Sequence, residues 1–267
     1  TDFIKQACPA IDINCGGHMP VLGALYHPPG AIVRHDAVAW GYGRGAWQRG
    51  VEIHQKTEVT GFELANGRVT AVQTTRGTIG AGQVLQATAG SSSVVAAMAG
   101  IKLPIRTVPL QACVSVPLKP FLDPIVVSGS LHVYVSQTDR GELVFGASVD
   151  PVGTYRVNGT LEFTEELAGH VLELMPGISK MRLLRQWSGL CDMTPDYSPV
   201  MGFTPVEGYL LDVGWGTYGF KAGPVAGETL AETIATGRTA DLISPFGIER
   251  FTHGDLVGEK GAAAVGH

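Results

Sequence analysis

Apolar residues recur at two spacings that divide the chain into short strands, three helices and joints rich in glycine and proline. Residues 1–30 carry Cys, Pro and Gly without a period and read as loop with a short strand around 21–26. Val38, Ala39, Tyr42, Ala46 and Trp47 then fall at helical spacing. Asp36 suits an N-cap and Gly50 a stop, so a helix is expected over about 36–49. VEIH (51–54), EVTGFEL (58–64), RVTAVQTT (68–75) and GTI (77–79) read as strands. Asn66-Gly67 makes a hairpin of the middle pair, because both residues tolerate positive φ.

Val84–Ala87 is a short apolar strand running into Ala89-Gly90-Ser91, small residues that let a backbone or ligand approach closely. PLQACVSVPL (109–118), LHVYVSQ (131–137) and ELVFGASV (142–149) form an antiparallel block, with a turn at Asp139-Arg140-Gly141. A helix follows, with Thr164 as expected cap, Glu165 and Glu166 at its positive end and a stripe of Leu167, Val171 and Leu174. Pro176-Gly177 ends it. RLLRQWSGL (182–190) is another strand, in which Trp187 is expected in the core, and TPDYSP (194–199) a turn region. Tyr209–Val213 is a buried-type strand. The glycine-rich stretch 214–223 follows, and a helix is expected to start at Pro224 and close at Gly237.

Composition narrows the function classes. Among 267 residues, 45% are hydrophobic and 16% charged, the balance of a globular protein. A net charge of -5 argues against a nucleic-acid or anionic-membrane partner. Four cysteines (Cys8, Cys15, Cys113, Cys191) lack metal-site spacing, so a reducing cytoplasm is the expected location and no metal is expected.

The candidate chemistry sits in two places. A strand, a glycine-rich loop and a helix start, as in GWGTYGFKAGP (214–224), present backbone N–H groups to an electron-rich group, and Lys221 would point a positive charge into the same cavity. A plain glycine turn with a solvated lysine fits the spacing equally well. RHD (34–36) is the other place: Arg34 suits a phosphate and Asp36 could fix the tautomer of His35, while a surface helix start explains the same residues. GYGRGA (41–46) lacks the third glycine of a dinucleotide fingerprint and lies in a helix pattern. Ser91–Ser93 suit an anion or a cap. His132 on a strand and His170 on a helix read as packed or solvated.

Taken together, RHDAVAW, GVEIHQKTEVTGFE, LPIRTVPLQACVS, LHVYVSQTDRGELVFGASVD, DYSPVMG, GWGTYGFK, PFGIERF and GEKGAAAVGH resemble the β subunits of heterotetrameric sarcosine oxidases, within the D-amino-acid oxidase/glycine oxidase flavoprotein family. The resemblance implies an α/β (α+β) fold in which a Rossmann-like FAD domain is interleaved with an antiparallel-sheet substrate domain. Residues 1–31 and 104–195 would belong to the substrate domain, 32–103 and 196–250 to the FAD domain, and 251–267 to a tail. It implies FMN bound covalently to His35 beside Arg34, and a separate, non-covalent FAD. Val59 would meet the adenine, Ala89 and Gly90 the pyrophosphate, and Gly216 and Gly219 the isoalloxazine. Lys221 would hold the substrate carboxylate as the catalytic residue.

By the same resemblance the activity would be oxidation of sarcosine, with α, γ and δ subunits as partners and tetrahydrofolate and NAD on the α subunit. Two departures stand out. Tyr218 replaces a usual glycine, and the amino-terminal third with its GxGxxG is expected to be missing from this chain. A related amine dehydrogenase acting on proline or dimethylglycine, and a non-catalytic chain serving only as a subunit surface, are the competing readings.

Overall fold

The structure is a computed structural model and describes residues 2–146 and 150–258. After α1 (Asp2–Ala7) comes α2 (His35–Gln48), as the apolar spacing predicts. β1 (Val59–Ala65), β2 (Arg68–Thr74) and β3 (Gly77–Gly80) form an antiparallel meander, turned at Asn66 and Gly67 with φ of 51° and 78°. β4 (Val84–Gln86) leads to α3 (Ser92–Met98). Then β5 (Arg106–Ser115), β6 (Val126–Ser128), β7 (Val133–Gln137), β8 (Leu143–Gly146) and, after α4 (Leu161–Leu174), β9 (Leu183–Met193) build a five-stranded antiparallel sheet in the order β6-β7-β8-β5-β9. β10 (Val200–Phe203) and β11 (Tyr209–Val213) join β4 in a third sheet, ordered β10-β11-β4. α5 (Gly219–Thr236) and the short α6 (Arg250–His253) complete the fold.

The α4 stripe finds a partner, whereas the apolar face of α2 stays exposed, with Tyr42 and Trp47 at 60% and 66%. Phe163, Leu167, Val171 and Leu174 of α4 pack on Val133, Val135, Leu143 and Phe145 of the five-stranded sheet. Val69, Ala96, Tyr209, Leu211 and Val213 make a second core, in which the Phe62 ring meets the Tyr209 ring edge-on at 5.1 Å. No helix among the described residues is long and apolar enough to cross a membrane. Cys8, Cys15, Cys113 and Cys191 are all buried and unpaired.

Several expectations fail, each for a physical reason. Residues 51–54 and 21–26 form no strand, because none of the three sheets offers them a ladder. Leu25 is 98% exposed, so its segment also lacks a buried face. Thr160 rather than Thr164 caps α4: Thr160 is extended (φ -116°, ψ 152°), its hydroxyl accepts the Phe163 N–H, and Phe163 extends the apolar stripe by one turn. Asp36 does not cap α2. The N-cap position belongs to Arg34, whose guanidinium the Asp36 carboxylate accepts at 2.7 Å.

The C-terminal helix starts at Gly219, and Pro224 lies within it. The loop has already finished its turn by Tyr218, whose N–H reaches Trp215 O. Trp187 is 41% exposed on β9, an edge strand. His132 precedes β7 with φ of 51°, and its Nδ1, like that of His170, is buried without a hydrogen bond. Residues 147–149 of the ELVFGASV segment and 259–267 of the expected tail lie outside the described residues.

Candidate functional site

β4 and β11 run parallel, with Val84, Leu85 and Gln86 opposite Tyr209, Leu210 and Leu211. Parallel neighbours end on the same edge of a sheet, and the crevice beyond such carboxyl ends is where α/β folds bind ligands. Here β4 runs into Ala89-Gly90 and β11 into Gly214–Tyr218, so two turns distant in sequence meet. Each is fixed by its residues. Ala89 takes φ of 43°, and a Cβ on Gly90 would overlap the Leu190 side chain. The Thr107 hydroxyl donates to Gly90 O at 2.8 Å. Gly214 and Gly216 hold φ of 76° and 55°, a region that disfavours side chains, and a Cβ on Gly219 would come within 2.7 Å of Trp215 Cβ.

One buried carboxylate ties the turns together. Asp192, 3% exposed near the end of β9, accepts the Gly214 N–H at 2.5 Å on Oδ2, the Ser92 hydroxyl at 3.3 Å on the same oxygen, and the Gly216 N–H at 3.2 Å on Oδ1. Burial pushes its carboxyl above the ordinary range, opposed by these donors. Ser92 is therefore engaged in holding the turn, not open to an anion. Beside it, Trp215 Nε1 donates to Asp212 Oδ1 at 2.6 Å. Gln86 links Tyr209 OH (2.6 Å) to Thr88 Oγ1 (2.7 Å) and Ser92 O (2.9 Å). Burial raises the Asp212 carboxyl as well. Asp192 carries little signal in the sequence: it is one acid two residues beyond RLLRQWSGL and two before TPDYSP.

The Gly214, Gly216 and Tyr218 N–H groups are taken by Asp192 and Trp215 O, which leaves the helix start to face an electron-rich group. Helix α5 carries no side-chain cap at its N-terminus, and the first-turn amides of any helix lack intrahelical acceptors. Lys221 is exposed in that first turn, its ammonium 5.0 Å from the centre of the Tyr218 ring. Tyr218, Trp215, Thr217 and Met193 help line a cavity of only about 10 Å³, so the loop closes down to room for about one water. Lys221 does not line it.

The remaining candidates lie on other elements. Val59 opens β1, half-buried on the edge of the meander. His35 is the first residue of α2, exposed, and Arg34 is paired with Asp36. That pairing holds the Asp36 carboxyl below its ordinary range and commits it to Arg34 and the Ala37 N–H, so it does not set the His35 tautomer. A cavity of about 650 Å³ opens along the helix from Asp36 past Trp40 and Trp47 to Ile53. It shares no lining residue with the cavity beside Gly216. The structure thus gathers Ala89, Gly90, Gly216, Gly219 and Lys221 around one sheet edge, with His35 and Arg34 at the start of α2 and Val59 at the start of β1.

Known proteins resemble this chain in sequence and fold. The chain is 45% identical over 264 residues to sarcosine oxidase subunit beta of Rhodobacter capsulatus, covering 99% of this chain and 63% of that one. It is 46% identical over 264 residues to the Arthrobacter subunit beta, covering 99% and 65%. The chain therefore spans a little under two thirds of the length of these relatives. Among solved structures, L-proline dehydrogenase from P. horikoshii superposes with a TM-score of 0.88 at 29% identity, over 96% of this chain and 68% of that one. Glycine oxidase from Geobacillus kaustophilus superposes at 0.72 and 22% identity, over 80% and 57%, and shares the fold. A family model described as FAD dependent oxidoreductase matches residues 2–233, and with the turn geometry this establishes that the chain belongs to that family.

Proposed function

We propose that the chain works as the β-type subunit of a flavoenzyme that oxidises sarcosine to glycine and formaldehyde, or methylenetetrahydrofolate, with hydrogen peroxide, in an assembly with α, γ and δ subunits. The observation that carries the flavin reading is the meeting of the Ala89-Gly90 and Gly214–Gly219 turns at the carboxyl ends of two parallel strands, beside an uncapped helix N-terminus. The identity to sarcosine oxidase subunit beta supports sarcosine as the substrate.

When bound, FAD supplies the hydride acceptor and FMN a relay of electrons to oxygen. The chain's own residues supply placement. Ala89 and Gly90 would bring backbone to a pyrophosphate, Val59 offers backbone to the adenine, and Gly216 and Gly219, packed on Met193 and Trp215, would bring the loop backbone to the edge of a ring. The N-terminus of α5 favours negative charge beside that ring. Lys221 presents an exposed ammonium to the substrate carboxylate, and Tyr218 limits the space next to it. His35, exposed at the start of α2, is the attachment point for FMN, with Arg34 near its phosphate. Tetrahydrofolate and NAD belong to the α subunit in this reading.

A second reading, oxidation of proline or another secondary amino acid, draws on the fit to L-proline dehydrogenase over 96% of this chain. Purification with the neighbouring gene products, followed by a panel of sarcosine, proline and dimethylglycine, separates the two. Highest kcat/KM on sarcosine supports the first and on proline the second. A preparation without the flavin band at about 450 nm overturns both.

A further inference from the structure

We infer that Asp192 is a positioning residue, a single buried carboxylate that ties the Ala89–Ser92 turn to the Gly214–Gly216 turn and so sets the spacing between the two halves of the cradle. What the cradle holds rests on the flavin reading above; the tie itself does not.

The argument is one of donors and acceptors. Two N–H groups and one hydroxyl converge on Asp192 from two segments that share no secondary structure. A carboxylate is acceptor-only, with about four lone-pair sites, and suits such convergence. Asparagine does not. With its oxygen at the Oδ2 position it keeps Gly214 and Ser92 but turns an NH₂ toward the Gly216 N–H. The flipped orientation turns the NH₂ toward Gly214 and leaves Ser92 as its only possible partner there. The carboxylate is withdrawn from water, so these bonds face little competition from solvent. Ser92 is itself fully buried, and its single hydroxyl proton is shared between Asp192 Oδ2 and Ala89 O, so one three-centre bond joins the carboxylate to the very residue whose φ is positive. Gly216 N–H is shared between the Asp192 side chain and the Asp192 backbone carbonyl, also at 3.2 Å, which pins the loop to β9 at one point. The positive φ of Ala89 is a strained position that such a tie holds in place, whereas Gly214 and Gly216 take positive φ at no steric cost.

The test uses the protein purified with its neighbouring gene products. Hydrogen–deuterium exchange is followed in peptides covering 88–93, 212–219 and, as a control, the 59–74 hairpin, and flavin content is titrated on the same preparations. Asp192→Ala is expected to raise exchange in the first two peptides together, leave the hairpin unchanged and weaken flavin affinity by about tenfold or more. Ser92→Ala should release only 88–93, and the double variant should be no worse there than Asp192→Ala, because both remove one link. Asp192→Asn should release 212–219 more than 88–93.

Unchanged exchange in both segments, or an equal rise across the whole chain, overturns the tie. So does an Asp192→Ala protein that keeps full flavin affinity while its two turns loosen, since the spacing would then not matter. Should Asp192→Ala fail to fold, Ser92→Ala and Asp192→Asn decide the matter through their opposite segment preferences. Wild-type protein that binds no flavin overturns the flavin reading alone, and the exchange pattern still judges the tie.

Discussion

The Lys221 ammonium rests over the ring of Tyr218, 5.0 Å from its centre, so the charge proposed to receive a substrate carboxylate is held by an aromatic face three residues earlier in the chain. A cation–π contact at such an exposed site contributes about 0.5–1 kcal/mol. Tyr218→Phe keeps the ring and is expected to leave KM for sarcosine within about twofold. Tyr218→Gly removes both the contact and the wall of the narrow cavity. It should raise KM for sarcosine by about two- to fivefold and improve the relative rate on a bulkier secondary amino acid. Steady-state kinetics on two amines checks both; equal KM in all three proteins would remove Tyr218 from the site.

His35 is exposed and makes no contribution to a buried core, so His35→Ala should change stability by no more than about 0.5 kcal/mol. Its proposed role is covalent. Denatured, acid-precipitated wild-type protein should therefore remain yellow, and the variant should lose that acid-stable colour while keeping its melting temperature. Colour that survives in the variant places the attachment elsewhere.

Local order was legible in the sequence where local chemistry decides it. Asn66-Gly67 specifies its own positive φ values, and the α4 stripe specifies its own buried face. The strand, glycine turn and helix from Tyr209 to Gly237 are readable for the same reason, although Pro224 suggests a helix start and the chain begins to coil at Gly219. What escaped was long-range. The parallel pairing of β4 with β11 joins segments with the whole antiparallel sheet between them, and no local pattern encodes a partner at that distance. Asp192 escaped for the same reason, because its donors come from α3 and from the loop after β11. Residues 51–54 show the converse: an alternating pattern is only half of a strand, and without a neighbouring ladder it stays irregular.

Gly90 offers a test of how tightly the first turn is packed. A methyl there would overlap Leu190 on β9 and crowd the Leu190 carbonyl. Gly90→Ala should cost about 1–3 kcal/mol, as overpacking does in a close-packed site. Combining it with Leu190→Gly should recover part of that loss, because the Leu190 Cβ is the atom the new methyl would meet. Urea unfolding of the single and double variants measures the coupling; simple additivity would show that the crowding is relieved by backbone movement instead.

The Asp196–Arg250 pair gives a prediction with a definite sign in pH. Arg250 Nε and Nη2 reach the two Asp196 oxygens at 2.8 and 3.0 Å, with both side chains almost fully buried, and the same guanidinium holds Ser198 O, Phe246 O and Gly247 O. Burial alone would push the Asp196 carboxyl up, but the guanidinium and the Val257 and Ser198 N–H groups outweigh it, and the net shift is below the ordinary 3.8. A carboxyl depressed in the folded state contributes stability that is present above its unfolded value and is lost as pH falls through the folded one. Wild-type stability from this pair should therefore hold from neutral pH down to about 4 and decline only below it. Arg250→Met leaves a buried carboxylate without its cation, at a cost of about 3–5 kcal/mol near pH 7. Burial then dominates and raises the carboxyl, so the sign reverses and the variant should gain stability on acidification from pH 7 toward 5. Denaturation midpoints measured across pH for the two proteins decide it. Parallel curves would mean that Arg250 acts through its three backbone carbonyls and not through Asp196.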